Sequence, residues 1–440
     1  MIRPIFAAAF GLLTLAAPAS AMTIEPIVSP SGIKAWLVTE HTVPLVALSY
    51  SFHGGSTQDD PDKAGTAHFT ADMLDEGAGD LDGKTFHERL ERHAIELSFS
   101  ASRDYFRGSL RTLNENRDEA FDLLGLALSK PRFAADAVER VRSQELADRQ
   151  RELVNPNSLA SNAWWSAAFP DHPYGRESNG TPDTMQRITA DDMRAYVKRA
   201  FARNELTITI VGDVDAEAAG KLIDRAFGAL PAHNDLKPVA QATPRGLGRR
   251  IVINLDVPQA VVTFGGVGIA RRDPDFYAAY VVNHILGGGS FTSRLYQEVR
   301  EKRGLAYGVS EQLVWLRATA VMIGGTATAA DRTGDALKIV EQQIKRMAEQ
   351  GPTAAELAAA KSYLKGAYAL TLDTSTKIAA QLNEVQVDDL GIDYMQRRGA
   401  LIDAVTIEDA KRVAKRLYGG GMLVTVVGKP KGVTSIGAPE

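Results

Sequence analysis

ITADDMRAYVKRAFARNELTITIVGDV, from Ile188 to Val214, returns in altered form as VTIEDAKRVAKRLYGGGMLVTVVGKP, from Val405 to Pro430. Each copy reads as a capped amphipathic helix followed by a strand that ends in Val-Gly. Thr189 and Thr406 stand just before acidic residues, where a hydroxyl can accept from the free N–H groups of a helix start. Leu206, Ile208 and Ile210 alternate with Thr207 and Thr209, which gives the strand one buried face. A second echo pairs VPLVALSYSFHGGS from Val43 with VPQAVVTFGGVGIA from Val257, again about 215 residues apart. Two echoes at nearly one offset indicate a duplicated domain, not a short-period solenoid.

Within the first half, β structure over about 24–52 precedes helices at about 63–77 and 84–93. A hairpin near 95–112 comes next, then helices to about 203, then a final strand and helix. Antiparallel hairpins with helices on one face make an α+β fold, here two homologous α/β layer-sandwich domains. Residues 22–229 form the first. The Pro-rich, aperiodic stretch 230–247 is a linker. Residues 248–432 form the second domain and 433–440 a tail.

Residues 1–21 stand apart. Arg3 is followed by IFAAAFGLLTLAAPA, an apolar run too short to span a bilayer comfortably, and then by the small-residue site Ala19-Ser20-Ala21. That order is a cleaved signal peptide, with the mature chain starting near Met22. The chain has no cysteine, which excludes disulfide and thiol chemistry. A cysteine-free exported chain of this kind is expected in the bacterial periplasm, and no later stretch is long and apolar enough to cross a membrane. Fifty Lys+Arg against 54 Asp+Glu leave no basic excess for nucleic acid.

The chemistry centres on His68-Phe69-Thr70-Ala71-Asp72. Zinc peptidases grip an ion with two ligands one helical turn apart, and a neighbouring glutamate activates the bound water. In the inverted arrangement, His-x-x-Glu-His, that glutamate precedes the second histidine. Here His68 occupies the first ligand position, Ala71 the place of the base and Asp72 that of the second imidazole. Ala71 cannot move a proton. His68, Asp72 and Glu76 share one helical face, so a rebuilt metal site is the alternative.

Gly65-x-Ala67-His68-Phe69, His172-Pro173-Tyr174-Gly175-Arg176 with Gly180-Thr181, and the duplicated halves resemble the insulinase/pitrilysin family of inverted zinc metallopeptidases. The resemblance covers nearly all of residues 25–432. It implies a third ligand, a glutamate, about seventy residues beyond the histidine. The matching stretch, Glu139-Arg140-Val141-Arg142, puts Val141 at that position, with Glu145 one turn on as the nearest stand-in. The chain is then expected to hold no metal itself, and His68, Ala71, Asp72 and Val141 mark a degenerate former zinc site.

SFTSRLYQEVREKRGLAYGVS, Ser290 to Ser310, resembles the family's most recognisable second-half motif. The resemblance makes Arg300 and Tyr307 groups that bind a peptide carbonyl and support its developing negative charge, with Arg294 and Arg303 as nearby alternatives. Family members of this length often work in pairs, one chain carrying zinc and the other the Arg/Tyr pair. The expectation is therefore a catalytically incomplete subunit of a metalloendopeptidase heterodimer, with zinc in its homologous partner. The alternatives are a non-enzymatic peptide-binding or scaffold protein of the cell envelope and an active metallopeptidase with a rebuilt site. By the same resemblance, Ser98-Phe99-Ser100-Ala101-Ser102 is an edge strand that pairs with substrate backbone. His87-Glu88-x-x-Glu91 only imitates a zinc motif, because Glu91 stands in place of the second histidine. Trp164-Trp165 reads as core or interface, and Gly287-Gly288-Gly289 as a hinge.

Overall fold

The computed structural model describes residues 22–437. The signal-peptide reading of 1–21 lies outside them. Two open sheets carry the duplication strand for strand. The first runs Lys34–Thr39, Thr207–Gly212, Leu45–His53, Tyr105–Leu113, Glu96–Ala101, with Glu25–Val28 added beyond Lys34–Thr39. The second runs Arg250–Asn254, Leu423–Gly428, Gln259–Val267, Ala320–Ala329, Ala306–Trp315. The echoed segments supply the equivalent strands Thr207–Gly212 and Leu423–Gly428. Each pairs parallel with an early strand of its half and antiparallel with the strand that begins the second echo. The preceding helices, Ala190–Ala200 and Ile407–Tyr418, start alike. The Thr189 and Thr406 hydroxyls accept from the amides of Asp192 and Asp409, whose carboxylates accept back from the threonine amides.

The sequence reading placed helices on one face of each sheet; the structure covers both faces. In Leu45–His53, Val46, Leu48, Tyr50 and Phe52 enter the core of their own half. Ala47 faces the other way and packs under Ala379 and Leu382 of Ser375–Val387, a helix from the second half. Asn383 Nδ2 on that helix donates to the carbonyls of Ser49 and Thr207, at 3.4 and 3.2 Å, and Gln386 Nε2 donates to Thr209 Oγ1 at 2.7 Å. The first half reciprocates with Pro156–Ala168, which lies on Leu423–Gly428 and Gln259–Val267. Trp164, 0% exposed, donates from Nε1 to the Leu423 carbonyl at 3.1 Å. Gly265 makes room for it, since a Cβ there would stand 2.6 Å from the indole. The helix exchange was hidden in sequence because periodicity reports that a face is apolar, not which sheet it covers.

A third tie joins the halves. Tyr174 of the His-Pro-Tyr-Gly-Arg stretch donates its hydroxyl to Asp104 and accepts from the Ala318 amide at 3.0 Å, while the Arg317 amide donates to Asp104 at 2.8 Å. Between Phe227 and Arg250 the chain has neither helix nor strand. Residues 433–437 are not a free tail: Val433 is buried in the second core, and Ile436 bridges to Arg250.

Candidate functional site

The former zinc helix is Thr66–Met73. Its start is fixed from outside, because the Asp59 carboxylate accepts from the amides of Gly65 and Ala67 at 2.9 and 3.0 Å. Gly65, at φ +96°, packs against the Asn179–Gly180 backbone, where a Cβ would come within 2.8 Å of a carbonyl oxygen. That contact explains why Gly65 and Gly180 both matter to this helix start.

His68 Nε2 lies 3.1 Å from Glu145 Oε2 and 3.5 Å from Asp72 Oδ2. Glu145 comes from the long helix Ala135–Glu152. Of the two alternatives left by sequence, the structure brings Glu145 to the histidine and turns Val141, one turn earlier, into the apolar core. Glu76 is not part of the group. The helix ends at Met73, short of the expected 77, and Glu76 instead forms an ion pair with Arg140. Among the described residues, His68, Asp72 and Glu145 are the group that could offer three ligand atoms to one ion, all within 4.8 Å of one another.

The electrostatics weigh against a catalytic zinc. Burial pushes the Asp72 carboxyl up to about 6, and the His68 charge only partly offsets it. Burial also acts to lower His68, but its hydrogen bond to Glu145 and the charges of Asp72 and Glu145 win, so its pKa is raised. A metal would therefore compete with a proton for the His68 ring nitrogen. Arg149 was missed by the sequence reading. It is buried one turn beyond Glu145 and reaches the same carboxylate at 3.7 Å. Its i, i+4 spacing from Glu145 was the available signal. Ala71 is buried and offers no base. Three donors, one competing guanidinium and no base apart from the ligands themselves do not fit a zinc that activates water.

The second candidate site is built differently. Tyr307 lies on Ala306–Trp315, where the pairing register with Ala320–Ala329 shifts between Ala306 and Val309. Such a bulge re-aims the side chains beside it. Tyr307 is 84% exposed. Arg300 sits in a π-helical turn, Gln297–Glu301, and its guanidinium stacks between Tyr296 at 4.9 Å and Tyr307 at 4.6 Å. Its ion pair is a long one, 3.8 Å to Glu301, so the fork keeps donors to spare. The alternatives are committed elsewhere: Arg294 to Glu356 and the Gly351 carbonyl, Arg303 to Glu298. Arg300, Tyr307 and Phe291, itself 67% exposed, border a cavity of about 840 Å³ on the second sheet.

Glu96–Ala101 is an edge strand of the first sheet, and Ser98 and Ser100 are exposed on it. His87 hydrogen-bonds the Gly83 carbonyl and lies 3.6 Å from Asp75, away from the His68 group.

Residues 35–181 match the family described as Insulinase (Peptidase family M16), and residues 187–364 match the Peptidase M16 inactive domain. The chain belongs to the M16 peptidase family. The M16 chain is similar to a structure described as a peptidase M16 inactive domain from Pseudomonas fluorescens. The two are 29% identical, with a TM-score of 0.87 and coverage of 93% of this chain and 98% of that one. It is 28% identical over 366 residues, 83% of each chain, to a Helicobacter pylori protein named non-peptidase homolog YmxG. It is also 27% identical over 418 residues to an uncharacterized zinc protease of Streptomyces coelicolor, covering 93% of this chain and 90% of that one. The duplicated sheets are thus the two halves of an M16 unit. The relatives' names divide between peptidase and non-peptidase.

Proposed function

We propose that this chain is the non-catalytic subunit of a two-chain M16 peptidase, exported to the periplasm, that binds peptide and presents Arg300 and Tyr307 to a zinc site on a homologous partner. The observation that carries this reading is the contrast between its two sites. Ala71 leaves the His68 helix without a base, while Arg300, half-buried, stacks on an exposed Tyr307 and is short of partners of its own. The name non-peptidase homolog for one relative and inactive domain for another supports the same side of that contrast. Peptide binds by adding a strand to the Glu96–Ala101 edge.

The test is reconstitution with a homologue from the same organism that carries an intact His-x-x-Glu-His. The mixture should cleave unstructured peptides. Arg300→Ala and Tyr307→Phe should each lower turnover by about 100-fold, the typical cost of losing one donor to a developing oxyanion, without loss of the complex on gel filtration. Full turnover by both variants would favour a non-enzymatic scaffold. The clustering of His68, Asp72 and Glu145 supports a second reading, a rebuilt metal site. Metal analysis of the desalted chain separates the two. Well under one equivalent of zinc is expected, because Arg149 already holds the Glu145 carboxylate and Ala71 stands where the family's glutamate would be. A full equivalent, with chelator-sensitive hydrolysis by the chain alone, would establish the rebuilt site instead.

A further inference from the structure

A cavity of about 640 Å³ lies between the two halves, apart from both sites described above. Four arginines line it: Arg107 from the first half, and Arg271, Arg272 and Arg317 from the second. Three have acidic partners. Arg107 pairs with Glu384 at 3.0 Å, Arg271 with Asp388 at 3.3 Å and Arg272 with Asp389 at 2.7 Å. Arg317 is exposed, and its guanidinium makes no hydrogen bond or ion pair among the described residues. Its backbone amide is anchored on Asp104, so the side chain projects from a fixed point. Arg107 Nε also lacks a hydrogen-bond partner, but it is buried and does not face the open cavity.

The free Arg317 guanidinium suits a planar anion that accepts at both oxygens, and Arg107, paired with Glu384, adds positive charge from the other half. Glu384 and Asp388 already hold negative charge in the walls, which favours a singly charged carboxylate over a polyanion. The cavity also touches the proposed peptide track. Ser102 and Tyr105 line it, and they belong to the turn that directly follows the Glu96–Ala101 edge strand.

We propose that this interdomain cavity binds a carboxylate of a peptide laid along the Glu96–Ala101 edge, either its C-terminal group or an Asp or Glu side chain, with Arg317 as the principal contact. The inference rests on the strand-addition reading given above. It makes the boundary between the halves a specificity element. Acidic and free-ended peptides bind preferentially, and occupancy bridges the two domains.

The experiment uses fluorescence anisotropy on the full chain. The probe is an N-terminally rhodamine-labelled nine-residue peptide of Val, Thr and Ser with one internal Glu and a free C-terminus. Companion peptides carry a C-terminal amide, Glu→Gln, or both. The doubly neutral peptide should bind about tenfold more weakly than the parent, the low end for a charged hydrogen-bonded pair. Arg317→Ala should cost the parent a similar factor and leave the doubly neutral peptide unchanged. Whichever single change reproduces the loss identifies the carboxylate. If Arg317→Ala weakens charged and neutral peptides equally, or neither, the cavity assignment is overturned. N-methylation at alternate amides reports on the edge strand separately. If methylation abolishes binding while the carboxylates make no difference, the edge reading stands and the cavity reading falls. If methylation is harmless while the coupling to Arg317 persists, the carboxylate site stands and strand addition falls. If no peptide in the set binds, both fall.

Discussion

Trp164→Ala should destabilise the protein by about 3–5 kcal/mol, the usual cost of removing a large aromatic from a close-packed core. The reason is where the indole sits. Trp164 belongs to the first half by sequence but packs in a cluster with Val321 and Leu423 of the second, and its Nε1 donor is spent on the Leu423 carbonyl. Trp165 meets it edge to face at 5.2 Å and Phe169 stacks on Trp165 at 5.5 Å, so an alanine leaves a void that rigid rings cannot close. The loss falls on the joint between the halves. Denaturant unfolding of the variant should therefore show the two halves separating before either core melts, as a broadened or two-step transition. Leu153→Ala is the control, since Leu153 is exposed and should change stability by no more than about 0.5 kcal/mol. A Trp164→Ala protein that unfolds in one step within about 1 kcal/mol of the parent would mean that the exchanged helix does not hold the halves together.

This joint marks the limit of what the chain's sequence discloses. The duplication was readable because both copies keep the same local devices: a Thr-led capping box, a 3.6-period helix and an alternating strand. Local physics dictates those, and it repeats wherever the sequence repeats. The partner of each helix is a long-range choice. Nothing in PNSLASNAWWSAA declares that it will lie on a sheet roughly a hundred residues further on. The sites divide along the same line. Ala71 has no titratable group, and no fold could supply one, so the loss of a base was legible outright. The third member of the His68 group required knowing which face of Ala135–Glu152 meets the helix. One turn separates Val141 from Glu145, and packing of Val141 against the core decided it. Glu76 failed for an equally local reason, since the helix stops before reaching it. Arg317 carried no sequence signal, because its significance comes from a cavity that exists only once both halves are assembled.

Glu311→Gln should make the protein more stable at neutral and alkaline pH and leave it nearly unchanged near pH 4.5. Glu311 lies on the same strand as Tyr307, but its side chain points inward and is 1% exposed. Asn283 Nδ2 donates to it at 2.7 Å and the Tyr418 hydroxyl at 3.0 Å, and among the described residues no cation pairs with it. Burial pushes its carboxyl up to about 8, against the 4.5 of an unperturbed side chain, and the two hydrogen bonds only partly oppose the shift. Below pH 4.5 the group is protonated in both the folded and unfolded chains and costs nothing. Between 4.5 and 8 the unfolded chain releases the proton and the folded chain keeps it, so stability falls as pH rises. At about 1.4 kcal/mol per unit of pKa difference, the deficit is on the order of 3 kcal/mol by pH 7. Glutamine keeps the shape and the partners without a charge to bury. Melting temperatures of parent and variant should therefore converge at acid pH and diverge towards pH 8. A constant gap across that range would show that Glu311 is ionised in the fold. Gly287 gives the same site a steric check. A Cβ there would stand 2.6 Å from that of Glu311, so Gly287→Ala should destabilise the protein at every pH. That clearance gives Gly287 a role beside the expected hinge: one side chain fewer in the helix lets a buried acid, and the strand that presents Tyr307, pack close against it.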